Sequence, residues 1–219
     1  MVNNSLLEKP RPKLRKWKVL NLYAGIGGNR KLWDNVDVTA VEINPEIAKI
    51  YQDFFPDDEV ITTDAHDYLL EHFKEFDFIW SSPPCPTHSR IRKVTHHQNP
   101  PIFPDMKLYE EILFLKGYFK GKWCIENVKS WYKPLIKPQD VANHYFWSNF
   151  MIPKIKVNSR EHNSRVNVLQ KRKGFNLSNY KIGIEKKLLL RNCVEPEVGK
   201  HILDCARKNI QQKLVIKDE

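Results

Sequence analysis

Five times between Val19 and Val128 a short apolar or β-branched run ends in glycine, an acid or proline. Helical spacing follows most of these ends. Val19, Leu20 and Leu22 lead into Ala24-Gly25-Ile26-Gly27-Gly28, a strand feeding a glycine turn, after which the pattern predicts a helix through Leu32 and Trp33. Residues 36–43 are rich in β-branched side chains and contain Glu42 at their end, and Asn44-Pro45 then signals a helix start before Ile47, Ile50, Tyr51 and Phe54. Residues 60–63 with Asp64, followed by 68–73, repeat the unit. A fourth strand signal over 76–81 is halted by Pro83-Pro84, a helix is predicted over 106–119, and a fifth strand over 122–128. Parallel neighbours in a sheet need crossovers, so this alternation predicts an α/β fold with a mostly parallel, doubly wound sheet.

Ligands of such sheets bind beyond the carboxyl ends of the strands. The residues found there are Tyr23 to Gly28, Glu42, Asp64, Ser82 to Cys85, and Glu126 with Asn127. A glycine turn followed by an acid at the next strand end fits a nucleoside cofactor, because the acid can hold both ribose hydroxyls; the spacing does not say which nucleoside. At 219 residues one domain is expected. No apolar run of membrane-spanning length occurs and the first residues lack the apolar stretch of a signal peptide, so an intracellular protein is expected. The four cysteines have neither disulfide-scaffold density nor zinc-finger spacing, and His88, His96 and His97 bring no carboxylate pattern with them. No metal is expected, and Cys124 and Cys205 read as core.

Charge points to a polyanion. Lys and Arg number 36 against 26 Asp and Glu, a net +10, and residues 151–191 hold eleven of the basic residues against Glu161 and Glu185. This segment is the expected electrostatic footprint, with few clustered apolar positions.

Taken in order, the motifs resemble those of the cytosine-C5 DNA methyltransferases. Asn21-Leu22-Tyr23-Ala24-Gly25-Ile26-Gly27-Gly28 is similar to that family's cofactor turn, Glu42 to its ribose-binding acid, and Asp64 to the acid that meets the adenine amino group. Pro84-Cys85 with Ser89 resembles the nucleophile loop, Glu126-Asn127-Val128 the Glu-Asn-Val motif, and Arg191-Asn192-Cys193-Val194 the motif that returns to the cofactor. The resemblance implies a Rossmann-like fold that binds S-adenosylmethionine, releases S-adenosylhomocysteine, and uses Tyr23, Ala24, Gly25, Ile26, Gly27, Gly28, Glu42, Ile43, Asp64, Ala65, Pro84, Asn192 and Val194 in the cofactor site. It implies Cys85, Glu126, Asn127 and His144 as the catalytic set, acting on carbon 5 of a cytosine flipped out of double-stranded DNA. Ser89, Arg90, Arg92, Lys93 and Gln98, in the loop over residues 87–101, together with Arg160, Arg165, Lys171 and Arg172, are the expected DNA contacts.

The chemistry accounts for the grouping. Carbon 5 of cytosine is a poor nucleophile until a thiolate adds at C6, which is Cys85's role; Glu126 at the N3 edge supplies a proton that makes the ring a better acceptor. Flipping is required because C6 is shielded in a stacked duplex. Nearby positive charge, such as Arg90 or Arg92, is expected to favour the thiolate.

The chain departs from the pattern in four places. Asn21 replaces an acid, Pro86 a glutamine, and Cys193 a serine. Residues 144–149 resemble the Arg-x-Arg-Tyr-Phe-Trp-Gly-Asn stretch of the mammalian de novo DNA methyltransferases, but Ala142 and His144 stand at the arginine positions. The expected organisation is a basic leader over 1–17, a catalytic and cofactor-binding core over 18–150, a reduced basic target-recognition segment over 151–190, and a C-terminal motif and helix over 191–219. A compact bacterial or phage enzyme of restriction-modification or orphan type is implied, cytoplasmic and monomeric. Competing readings are a tRNA cytosine-C5 methyltransferase, an amino-methyltransferase acting on adenine N6 or cytosine N4 (suggested by Ser82-Pro83-Pro84 but lacking the aromatic residue that should follow), and an inactive nucleic-acid-binding homologue.

Overall fold

The computed structural model describes residues 15–90, 102–157 and 165–215. Strands β1 (Trp17–Leu22), β2 (Val36–Val41), β3 (Glu59–Ile61), β4 (Phe78–Ser81) and β5 (Lys122–Val128) form a parallel sheet in the order β3-β2-β1-β4-β5. A hairpin of β6 (Gln139–Val141) and β7 (His144–Ser148) extends it, β7 pairing antiparallel with β5 to complete seven strands. The α/β, mostly parallel expectation therefore holds.

Strand alternation divides the core between the two faces of the sheet. Val19, Val38, Phe78, Trp80, Cys124 and Phe146 face Val198, Ile202, Leu203 and Ala206 of α6 (Pro196–Val215). Leu20, Leu22, Val41, Ile79 and Ile125 face α2 (Ala65–His72) and the helix over Lys107–Tyr118, here α3, through Leu69, Leu108, Ile112 and Leu115. Helix α1 (Pro45–Phe54) starts as the sequence predicts: Pro45 occupies its first turn, and the Asn44 side chain accepts from the amides of Glu46 and Ile47. Asp64 caps α2 in the same way. Such caps are each worth about 1 kcal/mol.

The helix expected through Leu32 and Trp33 is absent. Residues 28–33 instead make successive tight turns, with Lys31 N donating to Gly28 O and Trp33 N to Arg30 O. The reason is space: α6 approaches so closely that a Cβ on Gly199 would lie 2.1 Å from the Asn29 carbonyl oxygen.

The basic segment also differs from expectation. Helices α4 (Val166–Lys173) and α5 (Lys186–Asn192), with the segment between them, bury Leu169, Phe175, Leu177, Leu189 and Leu190 in one cluster with Ile26 and Ile50. Composition concealed this, because Leu169, Phe175 and Leu177 sit singly among lysines and polar residues. Among the described residues no helix is long and apolar enough to cross a membrane.

Candidate active site

The strand order reverses between β1 and β4, so the carboxyl ends of these two strands open the crevice in which doubly wound sheets bind ligands. The glycine turn lies on one side of it. Gly25 has φ +55°, and a Cβ there would meet nothing within 4 Å, so its backbone faces open space. Gly28 is required for a different reason: a Cβ would lie 2.6 Å from Cys193 Cβ and 2.7 Å from the Val194 carbonyl, fixing the turn to the C-terminal motif. Ile26 points away into the cluster with α4 and α5, and Ala24 N is tied to Val41 O at 3.0 Å. Buried Asn21 exchanges side-chain hydrogen bonds with Asn29, which explains how an amide serves where the family has an acid.

Glu42 closes the turn. Its Oε2 accepts from Gly25 N at 3.0 Å and its Oε1 from Asn44 N at 2.9 Å, which aims the carboxylate and leaves each oxygen a lone pair for a hydroxyl donor. Ile43, next to it, is 64% exposed and offers an apolar surface for a planar base. Asp64 uses Oδ1 to cap α2, and among the described residues nothing takes Oδ2. Open glycine backbone, an aimed carboxylate, an apolar shelf and a spare carboxylate oxygen can together take a sugar's hydroxyl donors and a planar base. Ala65 is buried as the first residue of α2, and Asn192 is exposed at the end of α5.

Behind the turn lies a polar cluster that sequence reading missed. Glu111 on α3 is fully buried; Oε1 accepts from Tyr23 Oη at 2.7 Å, Oε2 accepts from Ser81 Oγ at 2.6 Å, and His66 Nδ1 lies 3.3 Å from Oε1. The Glu111 hydrogen bond raises the His66 pKa, while burial and then Glu111 push the Tyr23 phenol far above its ordinary range. Tyr23 itself has φ +54°, so the cluster clamps a strained residue at the head of the glycine turn.

The nucleophile loop occupies the opposite side. Asn127 Nδ2 donates to the Pro83 carbonyl at 2.9 Å, joining the end of β5 to the two prolines. His88 N and Ser89 N both donate to the Cys85 carbonyl, Arg90 N donates to Lys129 O, and Trp131 Nε1 donates to Thr87 O. His88 Nδ1 lies 2.6 Å from Tyr132 Oη. The loop is thus held in place through Arg90 by the segment that follows the Glu-Asn-Val motif. Glu126 is buried, with Ser82 Oγ donating to its Oε2 at 2.9 Å and His144 Nε2 lying 3.8 Å from its Oε1. Ala142 and Asn143 both have positive φ and form the tight turn of the β6–β7 hairpin, so one expected arginine position is a strained turn residue and the other is His144.

Electrostatics at Cys85 runs opposite to the sequence-based expectation. Burial, and after it the charge of Glu126, push the thiol pKa up, with no cation on the described loop offsetting them. In the free protein the thiol is therefore held protonated. Cys85 is the one half-exposed cysteine, since Cys124, Cys193 and Cys205 are buried. Iodoacetamide should modify it slowly at about pH 7.5, and the rate should still climb above about pH 9; a plateau by about pH 8 would reveal an activated thiol instead.

Under the glycine turn, Lys173 is buried and donates to the Cys193 carbonyl at 2.6 Å, and Lys173 and Arg172 each lie 2.8 Å from Glu195. Burial pushes the Cys193 thiol up to about 12, making it an inert packing group. Arg172, expected to touch DNA, is thereby engaged by a carboxylate, whereas Arg90, Arg165 and Lys171 are exposed and Ser89 is half-buried. Arg92, Lys93, Gln98 and Arg160, with His96 and His97, lie outside the described residues. Among the described residues no group of three His, Cys, Asp or Glu is placed to hold a metal ion.

Comparison with known proteins follows the same lines. The family model described as C-5 cytosine-specific DNA methylase matches residues 17–131. A Spodoptera frugiperda tRNA (cytosine(38)-C(5))-methyltransferase is 31% identical over 90 residues, 38% of this chain and 27% of that protein, so the match spans about a quarter of the relative's length. Among solved structures, that of a Spodoptera frugiperda DNMT2 mutant is 23% identical with a TM-score of 0.38, covering 52% of this chain and 36% of that one. The Entamoeba histolytica methyltransferase EhMeth is 19% identical with a TM-score of 0.34, covering 52% of this chain and 38% of that one.

Proposed function

Since the chain belongs to the C-5 cytosine-specific DNA methylase family, we propose that it methylates carbon 5 of cytosine in double-stranded DNA from S-adenosylmethionine, through a covalent bond between Cys85 and C6. The observation that carries this reading is the approach of Cys85 to Glu126 at neighbouring strand ends, close enough for the carboxylate's charge to raise the thiol. An addition that needs a nucleophile below the ring and a proton at its edge needs these two groups together.

Glu42 would hold the ribose hydroxyls, the Gly25 backbone the approach to the sulfonium side, and Asp64 Oδ2 the adenine amino group. When bound, S-adenosylmethionine supplies an electrophilic methyl group. Cys85 Sγ, its proton passed to solvent, would add to C6 as Glu126 gives a proton to N3 and the C5=C6 electrons shift to form an enamine, whose C5 takes the methyl group with S-adenosylhomocysteine leaving. Loss of the C5 proton to water, with the N3 proton returned to Glu126, would re-form the C5=C6 bond and expel Cys85. His144 would replace the arginine contact to the base. A thiol held protonated in the free protein ties attack to the arrival of the nucleic acid.

Arg90, Arg165 and Lys171 would contact phosphates, giving salt-sensitive affinity, and the short stretch between Asn149 and Asn192 leaves room for few base contacts, so a short recognition site is expected. A second reading, tRNA methylation, is favoured by the name of the Spodoptera relative. Incubation with tritiated S-adenosylmethionine and either duplex DNA or tRNA, then nucleoside analysis, decides between them. The expected product is 5-methyldeoxycytidine; 5-methylcytidine from tRNA would move the substrate, and a methylated amino group on adenine or cytosine would overturn the C5 reading.

A further inference from the structure

Ser81 and Ser82 are consecutive, and strand alternation sends their hydroxyls to opposite faces of the sheet. Each reaches a different buried carboxylate. Ser81 Oγ donates to Glu111 and Ser82 Oγ to Glu126 Oε2, at 2.6 and 2.9 Å. Trp80 settles the direction of the second bond. Its indole Nε1 lies 2.8 Å from Ser82 Oγ and can only donate, so the hydroxyl accepts from Trp80 and commits its own proton to Glu126. Trp80 is fully buried between Trp33 and Phe146, at ring separations of 5.9 and 6.3 Å, and cannot swing away.

This relay distinguishes the two oxygens of Glu126. Oε2 is occupied as an acceptor, and an oxygen that already carries a proton accepts poorly, so a proton on the carboxyl belongs on Oε1. Oε1 is the oxygen facing His144 Nε2 at 3.8 Å. His144 Nδ1 lies 3.1 Å from the Ala142 carbonyl, which accepts only, so Nδ1 carries a hydrogen and Nε2 is the ring nitrogen turned toward Oε1. Ser82 thus leaves Oε1 as the proton-bearing oxygen.

We propose that Ser82, itself fixed by Trp80, is a positioning residue that orients Glu126 so that its transferable proton sits on Oε1 and faces the substrate. This rests on the reading of Glu126 as proton donor to the base. Loss of a buried hydroxyl hydrogen bond of this kind corresponds to about a tenfold effect.

The test is a double-mutant cycle on the full chain, combining Ser82→Ala with Glu126→Gln and read as single-turnover methyl transfer and as adduct formation on 5-fluorocytosine. Ser82→Ala should lower kcat about tenfold, with KM for S-adenosylmethionine and its calorimetric affinity changed less than about twofold, and Ser82→Thr should recover most of the rate. In the Glu126→Gln background the same serine substitution should cost less than about twofold. An equal loss in both backgrounds, or a loss confined to KM, overturns the role of Ser82 while leaving the methylation reading intact. Full activity of Glu126→Gln overturns both.

Discussion

Cys85→Ala should abolish methyl transfer, lowering single-turnover rates by about 10⁴-fold or more, while calorimetric affinity for S-adenosylhomocysteine stays within about twofold of the parent. The two halves of this expectation come from different sides of the crevice. The proposed cofactor side consists of Gly25, Glu42 and Asp64, whose bonds run to Asn44 and to the α2 amides and make no use of the thiol. The loop carrying Cys85 is held by Asn127 at Pro83, Trp131 at Thr87 and Tyr132 at His88, so removing one sulfur leaves its anchors in place. Without addition at C6, carbon 5 has no electron density to offer, and positioning alone remains. A variant that still turned over at a tenth of the parent rate would mean that another group does the chemistry.

Glu126→Gln should cost about 10²- to 10⁴-fold in kcat with a smaller change in KM for the nucleic acid. The amide matches the carboxyl in shape and its carbonyl oxygen still accepts from Ser82, so the sheet end should remain folded. What disappears is the transferable proton. Because Glu126 also raises the Cys85 thiol, its neutral replacement should make Cys85 easier to deprotonate, and iodoacetamide should react faster in this variant even as catalysis fails. The opposite signs of the two effects separate loss of proton donation from general damage.

Much of this was legible in the sequence because it is written locally. Asn44-Pro45 names a helix start by capping chemistry, and Lys122–Val128 reads as a buried strand from its own residues. Glu42, Asp64, Cys85 and Glu126 were visible because each follows a strand signal, where a doubly wound sheet must gather its chemistry. Three things were not local. The turns after Gly28 replace a helix because α6, more than 150 residues further on, leaves no room at Asn29. Leu169, Phe175 and Leu177 look like scattered apolar residues in a basic stretch until Ile26 and Ile50 arrive from elsewhere. Charge misled for a similar reason: Arg172 and Lys173 count as free cations in composition, yet both lie on Glu195, and the elevated Cys85 thiol reflects burial and a carboxylate from another strand. Ser82 and Glu111 offered some signal, a hydroxyl beside the prolines and an acid on the apolar side of α3, but their partners come from distant strands.

The central claim, a covalent attack by Cys85 on cytosine, is tested most directly by trapping. Duplex DNA carrying 5-fluorocytosine, incubated with the full chain and S-adenosylmethionine, should yield a complex that survives denaturing electrophoresis, since fluorine cannot leave as the C5 proton does. The account predicts that peptide mapping places the bond on Cys85 and that Cys85→Ala forms no complex. A complex formed equally well by Cys85→Ala, or methyl transfer to the substrate with no covalent species on any cytosine-bearing nucleic acid, would contradict it.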